Sequence, residues 1–235
     1  MSKPILKWAG RKDYLATYID KHISDLQNKN LLNKNFNYHE PFLGSASVFL
    51  HLKSTGKLNK AYLNDNLKEL IIFYKTLQSQ NIGKLSHFLD TQSQQYNKKK
   101  TYELKTKKYK NWNQRFNHLI HPDNINKLNS VEKMELTFLF MLLNKACFNG
   151  IYRKNQKGEF NVPHGRTYRN SGEKYNNITM PTKKELQLFA RNFDKNTFLS
   201  SDSYIEAFKK IKKGDLVYLD PPYFDTVNYY GKNTF

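Results

Sequence analysis

Apolar and polar positions in the first part of the chain follow two periods in turn. "YHEPF" (38–42) predicts a short strand that enters the glycine turn "LGSAS", and Val48, Phe49 and Leu52 then recur at helical spacing. "KAYLND" (60–65) predicts a second strand that ends in an acid, and the amphipathic "NLKELIIFYKTL" predicts the next helix. This alternation of strand and helix predicts a parallel sheet that binds ligands at the carboxyl ends of its strands.

The alternation stops between about residues 80 and 130, where the chain is rich in Lys and Asn and helices and loops are expected. "SVEKMELTFLFMLLNKACF" predicts a long helix that is capped by Ser130, with Glu132 in its first turn. Lys133 stands where a capping box would need Glu or Gln. In the segment that follows, two short extended pieces flank the turn "KNQKGE", which predicts a β-hairpin.

The strand and helix alternation resumes near Pro181. "TKKELQLFARNF" predicts a helix, "NTFLSS" a strand, "SYIEAFKKIKKG" a helix closed by Gly214, and "LVYLD" a buried strand. We therefore predict one α/β domain, formed by residues 1–68 and 181–235, that is split by an insertion at 69–180. Its four strands are expected in the order 3-2-1-4.

Composition narrows the class of partner. The 235 residues carry a net charge of +19, which favours a polyanionic partner, although Lys and Asn in nearly every loop would also follow from an AT-rich coding bias. Arginine is more informative, because only six are present and Arg153, Arg166 and Arg169 lie close together. The single cysteine, Cys147, excludes an intrachain disulfide and a zinc site built on cysteines. No signal peptide or membrane-spanning run is evident, so a cytoplasmic location is expected.

"YLDPPY" (218–223) is the strongest candidate for chemistry. Asp220 ends a strand, and Pro221 and Pro222 lack N–H donors but keep their carbonyl acceptors. These acceptors suit both hydrogens of one amino group, and Tyr223 offers a stacking face, as a planar amine on a nucleobase would require. A plain strand followed by a Pro-Pro turn is the alternative.

Three weaker candidates accompany it. Gly44 in "EPFLGSAS" allows a ligand to approach the backbone, and Asp65 at the end of the second strand is suited to bind ribose or, alternatively, to cap the next helix. "PILKWAGRK" (4–12) combines Trp8 and Lys12, which could hold an aromatic or cationic cofactor or belong to a terminal tail with one buried aromatic.

In this order, "KWAGRK", "EPFLGSASVFL", "YLND", "FNGIYRKNQKGEFNVPHGR" and "DPPY" resemble the Dam-type (alpha-group) DNA adenine-N6 methyltransferases, from Pro4 to about Tyr223. The resemblance implies a Rossmann-like domain that binds S-adenosylmethionine and transfers its methyl group to N6 of an adenine flipped out of duplex DNA. Residues 1–68 and 181–235 would form the catalytic domain, and 69–180 would be a mainly helical target-recognition domain with a β-hairpin. No metal is expected.

The resemblance also assigns roles to individual residues. Trp8, Lys12, Asp65 and Asp220 would contact the cofactor, with Phe42 and Gly44 lining its site; Asp220, Pro221, Pro222 and Tyr223 would hold the adenine. Arg153 would read a guanine edge, and Phe148, Asn149 and Ile151 would contact bases or fill the gap left by the adenine. Pro163 would touch a thymine methyl group and Arg166 a phosphate, with GATC as the favoured target.

The sequence departs from the family in three places. Arg11 and Ala46 replace glycines, and Ala46 is expected to demand a backbone shift. Relatives continue past "DPPY" with three more strands, which would leave "LVYLD" as an apolar sheet edge and would mean that the catalytic domain is truncated at its C-terminus. The alternatives are therefore an inactive DNA-binding remnant, or one part of a split enzyme whose remaining strands come from a second, complementary polypeptide. A cognate restriction endonuclease is a possible partner. A methyltransferase that acts on RNA or on protein amides is disfavoured by the hairpin and by Asp220, where the protein-amide enzymes carry Asn.

Overall fold

The computed structural model describes residues 3–8, 12–79, 81–165, 167–169, 172–174 and 177–221. Its helices are α1 (Ala16–Asn28), α2 (Ser47–Ser54), α3 (Lys68–Gln78), α4 (Ile82–Asn97), α5 (Tyr102–Ile120), α6 (Pro122–Ile125), α7 (Ser130–Ala146), α8 (Lys183–Ala190) and α9 (Tyr204–Phe208). Its strands are β1 (Phe36–Glu40), β2 (Leu58–Asn64), β3 (Thr167–Arg169), β4 (Gly172–Lys174), β5 (Thr197–Ser200) and β6 (Leu216–Val217). Short 3-10 turns occupy Asp13–Leu15 and Phe148–Gly150.

Four of these strands form a parallel sheet in the order β5-β2-β1-β6, with β3 and β4 paired separately in an antiparallel hairpin. The predicted strand order and the Rossmann-like α/β class are confirmed. β1 is flanked on both sides, since Tyr38 pairs with Ala61 of β2 and with Leu216 of β6. The carboxyl ends of all four strands consequently meet at one edge of the sheet.

Helix α7 joins the helix that covers the sheet to helices α4 and α5. It packs against α3, which itself packs on β5, and against α4 and α5. Phe140 of α7 meets Phe73 of α3 edge to face, with ring centroids 5.9 Å apart. Because residues around most of its circumference are buried, α7 behaves as a core helix and not as a surface helix. One hydrophobic cluster therefore runs from the sheet through α7 to α4 and α5.

The predicted turn "KNQKGE" is present. Lys154 and Phe160 form an isolated antiparallel bridge, and Asn155 N–H donates to the Glu159 carbonyl at 2.9 Å. Gly158 takes a positive φ of 80° inside the turn, where a side chain would be strained. The second hairpin, β3 with β4, was not among the predicted elements.

Two predicted helix boundaries were wrong. α7 is capped by Asn129 and not by Ser130, and a full capping box with Glu132 is present because the cap lies one residue earlier. α9 ends at Phe208, and Gly214 (φ +89°) lies in the turn before β6 instead of closing the helix.

A buried carboxylate holds β6 beside β1. Asp215 accepts hydrogen bonds from Asn37 Nδ2 at 3.0 Å and from the backbone N–H of Lys212 at 3.0 Å, and lies 2.9 Å from His39 Nε2. Burial opposes its charge, but these hydrogen bonds outweigh burial and lower the pKa of Asp215. Since the ladder between β1 and β6 spans only two residue pairs, Asp215 supplies much of what positions β6.

We expect Asp215→Asn to lower the free energy of unfolding by about 1–3 kcal/mol near pH 7, because it weakens hydrogen bonds to a charged, buried group. A lowered pKa stabilises the fold above the ordinary aspartate pKa of about 3.9, and this contribution disappears as the pH falls through the folded-state value. Urea unfolding should thus show the gap between wild type and variant closing below about pH 4. The exposed variant Asp25→Asn serves as the control, and equal losses in both variants would contradict the assignment.

Candidate functional site

Three carboxylates follow neighbouring strands at the carboxyl edge of the sheet. Glu40 is the last residue of β1, Asp65 directly follows β2, and Asp220 comes three residues after β6. We call these residues the acidic edge. They lie close enough to interact, since the charges of Asp220 and Asp65 both raise the pKa of Glu40. A sheet edge of this kind is the usual ligand-binding crevice of a parallel α/β fold.

Asp65 connects the glycine turn to helix α3. Its Oδ2 accepts from the Gly44 N–H at 2.9 Å, and its Oδ1 accepts from the Leu67 N–H at 3.0 Å. Burial raises the pKa of Asp65 to about 6, although both hydrogen bonds act to lower it. Asp65 thus holds the N–H of Leu67, the residue before α3, but it does not cap the helix, because no side chain among the described residues caps the first turn of α3. It also holds the N–H of Gly44 in the turn where a ligand would approach.

The glycine turn is covered by Trp8. A Cβ atom at Gly44 would lie 2.9 Å from the indole Nε1, so only glycine admits the ring at this distance. Tyr74 Oη donates to the Gly44 carbonyl at 2.8 Å and holds the turn from the other side. Ala46 is fully buried in the left-handed conformation (φ 59°), which costs a non-glycine residue roughly 1–2 kcal/mol.

Lys12 joins the N-terminal segment to "DPPY". Its Nζ lies 3.3 Å from Asp220 Oδ1, and its backbone N–H donates to Ser47 Oγ at the start of α2. The structure therefore brings Trp8, Lys12, Asp65 and Asp220 to one edge of the sheet. Pro221 is exposed beside Asp220.

Four residues named in the sequence analysis, Arg11, Arg166, Pro222 and Tyr223, lie outside the described residues.

Glu40 is a site residue that sequence reasoning missed. Its Oε2 accepts from Tyr38 Oη at 2.9 Å, and its carboxylate also accepts from the backbone N–H of Phe49 in α2. Burial raises the pKa of Glu40 to about 8 despite these two bonds. The available signal was its place at the end of a strand, the same place that drew attention to Asp65 and Asp220.

Aromatic side chains line the acidic edge, and two of them, Tyr204 and Tyr218, were given no role in the sequence analysis. Phe42 packs against Tyr204 of α9, with ring centroids 5.7 Å apart. Tyr218, between β6 and Asp220, has its pKa raised to about 12 by burial and, next, by the charge of Asp220.

The residues predicted to contact DNA also lie together. Phe148 is 47% exposed, and its N–H donates to the Pro163 carbonyl at 3.0 Å. Asn149 follows in a left-handed conformation (φ 53°). Ile151 and Arg153 continue the segment, and Arg153 Nε donates to Asn161 Oδ1 at 3.0 Å.

These two groups of residues are direct neighbours. Asn144 of α7 accepts from the Lys7 N–H at 2.8 Å and donates to the carbonyls of Lys7 (2.8 Å) and Gly150 (3.1 Å). A Cβ atom at Gly150 would lie 2.5 Å from the Lys7 Cβ, so the N-terminal segment runs directly over the turn that carries Phe148. Trp8 in turn stacks on Tyr152, with centroids 5.9 Å apart and planes 14° from parallel.

Among the described residues, no group of three or more His, Cys, Asp and Glu side chains is arranged to hold a metal ion. In the same part of the chain, every helix is too short or too polar to cross a membrane.

Residues 8–235 match the family model described as D12 class N6 adenine-specific DNA methyltransferase. The chain is 28% identical over 225 residues to the type II methyltransferase M.MjaIII of Methanocaldococcus jannaschii, covering 94% of this chain and 69% of the relative. It is 26% identical to the type II methyltransferase M1.LlaDCHI of Lactococcus lactis subsp. cremoris, covering 94% and 66%. The identity to a DNA adenine methylase of Vibrio cholerae serotype O1 is 29%, covering 94% and 65%. The chain thus spans about two thirds of the length of these relatives.

The raised pKa of Glu40 makes the fold less stable as the pH rises. The protonated form is favoured in the fold, so its contribution is fully present below the ordinary glutamate pKa of about 4.3 and is lost as the pH rises through about 8. We expect wild type to lose on the order of 4 kcal/mol between pH 5 and pH 9, and Glu40→Gln to remove most of that slope. Asp65 would account for part of the remainder.

Urea unfolding at pH 5, 7 and 9 measures this slope. Glu103→Gln, on an exposed position of α5, is the control and should keep the wild-type slope. If Glu40→Gln keeps the wild-type dependence of unfolding free energy on pH, Glu40 is ionised in the folded protein across this pH range.

Proposed function

The chain belongs to the D12 class of N6 adenine-specific DNA methyltransferases, and from this premise we propose that it transfers a methyl group from S-adenosylmethionine to N6 of adenine in duplex DNA, within GATC. The observation that carries the proposal is the contact between Lys12 and Asp220 beside the Trp8-covered turn at Gly44. It joins the first and last of the family-like segments at one edge of the sheet.

The residues of this edge fit the proposed cofactor. Gly44 has no Cβ, which lets the Trp8 indole close over the turn beside Asp65 and places an aromatic ring next to the acidic edge. Asp65 already accepts two backbone hydrogen bonds, and each carboxylate oxygen has a second lone pair for a ribose hydroxyl. The carboxylates of Asp65 and Asp220 suit a cationic ligand. When bound, the cofactor supplies a methyl group that is already activated by its positively charged sulfur.

Asp220 would hold the nucleophile. Adenine N6 is a poor nucleophile because its lone pair is delocalised into the ring. A carboxylate and the Pro221 carbonyl that each accept one N6–H would orient the amino group and free its lone pair toward the methyl donor. Asp220 is also suited to take the proton that N6 loses on transfer. Lys12 would keep the carboxylate in position through its contact at 3.3 Å, and Tyr223 would stack on the base.

The exposed turn at Phe148 would contact the DNA duplex. A half-exposed phenylalanine beside Asn149 and Pro163 is suited to fill the gap that a flipped base leaves, as apolar wedges do between base steps. Arg153 would read a guanine edge with its planar fork. The net charge of +19 would add attraction to phosphates that carries no sequence preference.

Replacement of Asp220 tests the chemistry. Asp220→Ala should lower the single-turnover rate of methyl transfer to a GATC duplex by roughly 10²–10⁴-fold or more, because it removes both the orienting acceptor and the proton acceptor. Asp202→Asn, a half-exposed carboxylate beyond β5, is the matched control and should keep the wild-type rate. Calorimetric titration with S-adenosylmethionine would establish that both variants still bind the cofactor. A wild-type rate in Asp220→Ala would remove this residue from the mechanism.

Replacement of Arg153 tests the reading of guanine. Arg153→Ala should reduce the preference for GATC over AATC by about 1–3 kcal/mol of discrimination, as the loss of one bidentate contact predicts. Lys157→Ala removes one positive charge from the turn of the same hairpin and should weaken binding to both duplexes equally. Fluorescence anisotropy with the two duplexes measures both effects. If Arg153→Ala weakens binding to both duplexes equally, Arg153 contacts a phosphate and does not read the guanine.

A further inference from the structure

Glu69 is a buried carboxylate outside the acidic edge. It lies in the first turn of α3 with 2% of its side chain exposed. It accepts a hydrogen bond from Tyr152 Oη and pairs with Lys154 Nζ at 2.5 Å. Because a buried charge is costly unless it is paired and hydrogen-bonded, Glu69 and its two partners hold one another in place.

The two partners of Glu69 flank the residue proposed to read guanine. Tyr152, Arg153 and Lys154 are consecutive in an extended segment, where side chains alternate between the two sides of the backbone. Tyr152 and Lys154 point inward to Glu69, and Arg153 points to the other side, where it donates to Asn161. Glu69 therefore anchors the backbone from which Arg153 projects.

Tyr152 also contacts a residue of the proposed cofactor site, Trp8. Its ring stacks on Trp8, and both rings meet Phe140 edge to face, at centroid distances of 6.5 Å for Trp8 and 5.2 Å for Tyr152. Trp8 covers the turn at Gly44. An unbroken series of contacts thus runs from Gly44 through Trp8 and Tyr152 to Glu69.

We propose that Glu69 and Tyr152 are positioning residues that couple the cofactor site to the guanine-reading segment, so that each ligand strengthens binding of the other. This inference rests on the proposed function. A ligand seated against Trp8 restricts the indole, and the stacked Tyr152 ring is restricted with it. The hydroxyl bond to Glu69 extends that restriction to residues 152–154. Arg153 then loses less conformational freedom when it meets the duplex.

The coupling is measured as a ratio of dissociation constants. Binding of a GATC duplex is titrated without and with saturating S-adenosylhomocysteine, which has no methyl group to transfer. We expect the wild-type duplex affinity to rise about fivefold or more with this ligand, and the reciprocal titration to give the same factor. Tyr152→Phe and Glu69→Gln should bring the ratio to within about twofold of unity. A merely structural defect that weakens both duplex affinities alike would leave the ratio unchanged.

Tyr109→Phe is the matched control. Tyr109 is a buried tyrosine of α5 whose hydroxyl donates to the Val162 carbonyl at 2.6 Å, so the variant removes a comparable bond to the same hairpin. It should keep the wild-type ratio. If Glu69→Gln does not fold, Tyr152→Phe decides, because it retains the pair between Glu69 and Lys154.

The outcomes separate the two proposals. A wild-type ratio in Tyr152→Phe overturns the coupling role, as does the same loss of the ratio in Tyr109→Phe. A wild-type protein that binds both ligands with a ratio of one overturns the inference alone. A wild-type protein that binds neither ligand overturns the proposed function, and the inference with it.

Discussion

The pairing of β1 with a parallel strand on each side is the constraint from which the site follows. Because β2 and β6 run in the same direction as β1, the residues that end these strands converge, and in this protein they are Glu40, Asp65 and Asp220. Converging carboxylates repel one another and lose hydration, so the surrounding structure has to compensate each of them. Two backbone N–H groups donate to Asp65. Glu40 accepts from the Tyr38 hydroxyl and the Phe49 N–H. Asp220 is paired with Lys12.

That compensation explains why the N-terminal segment belongs to the site although its described residues, 3–8 and 12–15, contribute no strand to the sheet. Lys12 brings the positive charge that the edge needs, and it is held at the start of α2 by Ser47. The same segment carries Trp8 across the glycine turn and toward the insertion. A polar requirement of the sheet edge thus determines the path of a segment that periodicity alone would leave unassigned.

Strand order and two of the three acids were predictable, because period-two patterns and an acid before two prolines are local signals. Other features depend on contacts between distant residues. Glu40 has the same local signal as Asp65, but its burial and its bond to Tyr38 appear only when the sheet is assembled. The contact between Tyr152 and Glu69 joins residues 83 positions apart. Helix α1 was not predicted, although Ile19, Ile23 and Leu26 recur at helical spacing and pack on the core, because only Ile23 among them is fully buried and the rest of the helix is polar. A polar pair between His51 and Asp20 at 2.8 Å adds a second attachment. The capping of α7 was misplaced by one residue, since Asn129 and Ser130 are both good caps.

Two glycines that lie more than 100 positions apart make room for two adjacent residues, Lys7 and Trp8. Gly44 admits the Trp8 ring from the sheet side, and Gly150 admits the Lys7 side chain from the insertion side, where a methyl group would come within 2.5 Å of it. A Cβ atom would overlap Trp8 at Gly44 and Lys7 at Gly150, and both glycines also take a positive φ, so each turn needs its glycine. Residues 7 and 8 are therefore constrained by contacts with both turns at once. A bulkier residue at Gly44 or Gly150 would therefore displace Trp8 or Lys7 from the turn that it packs on.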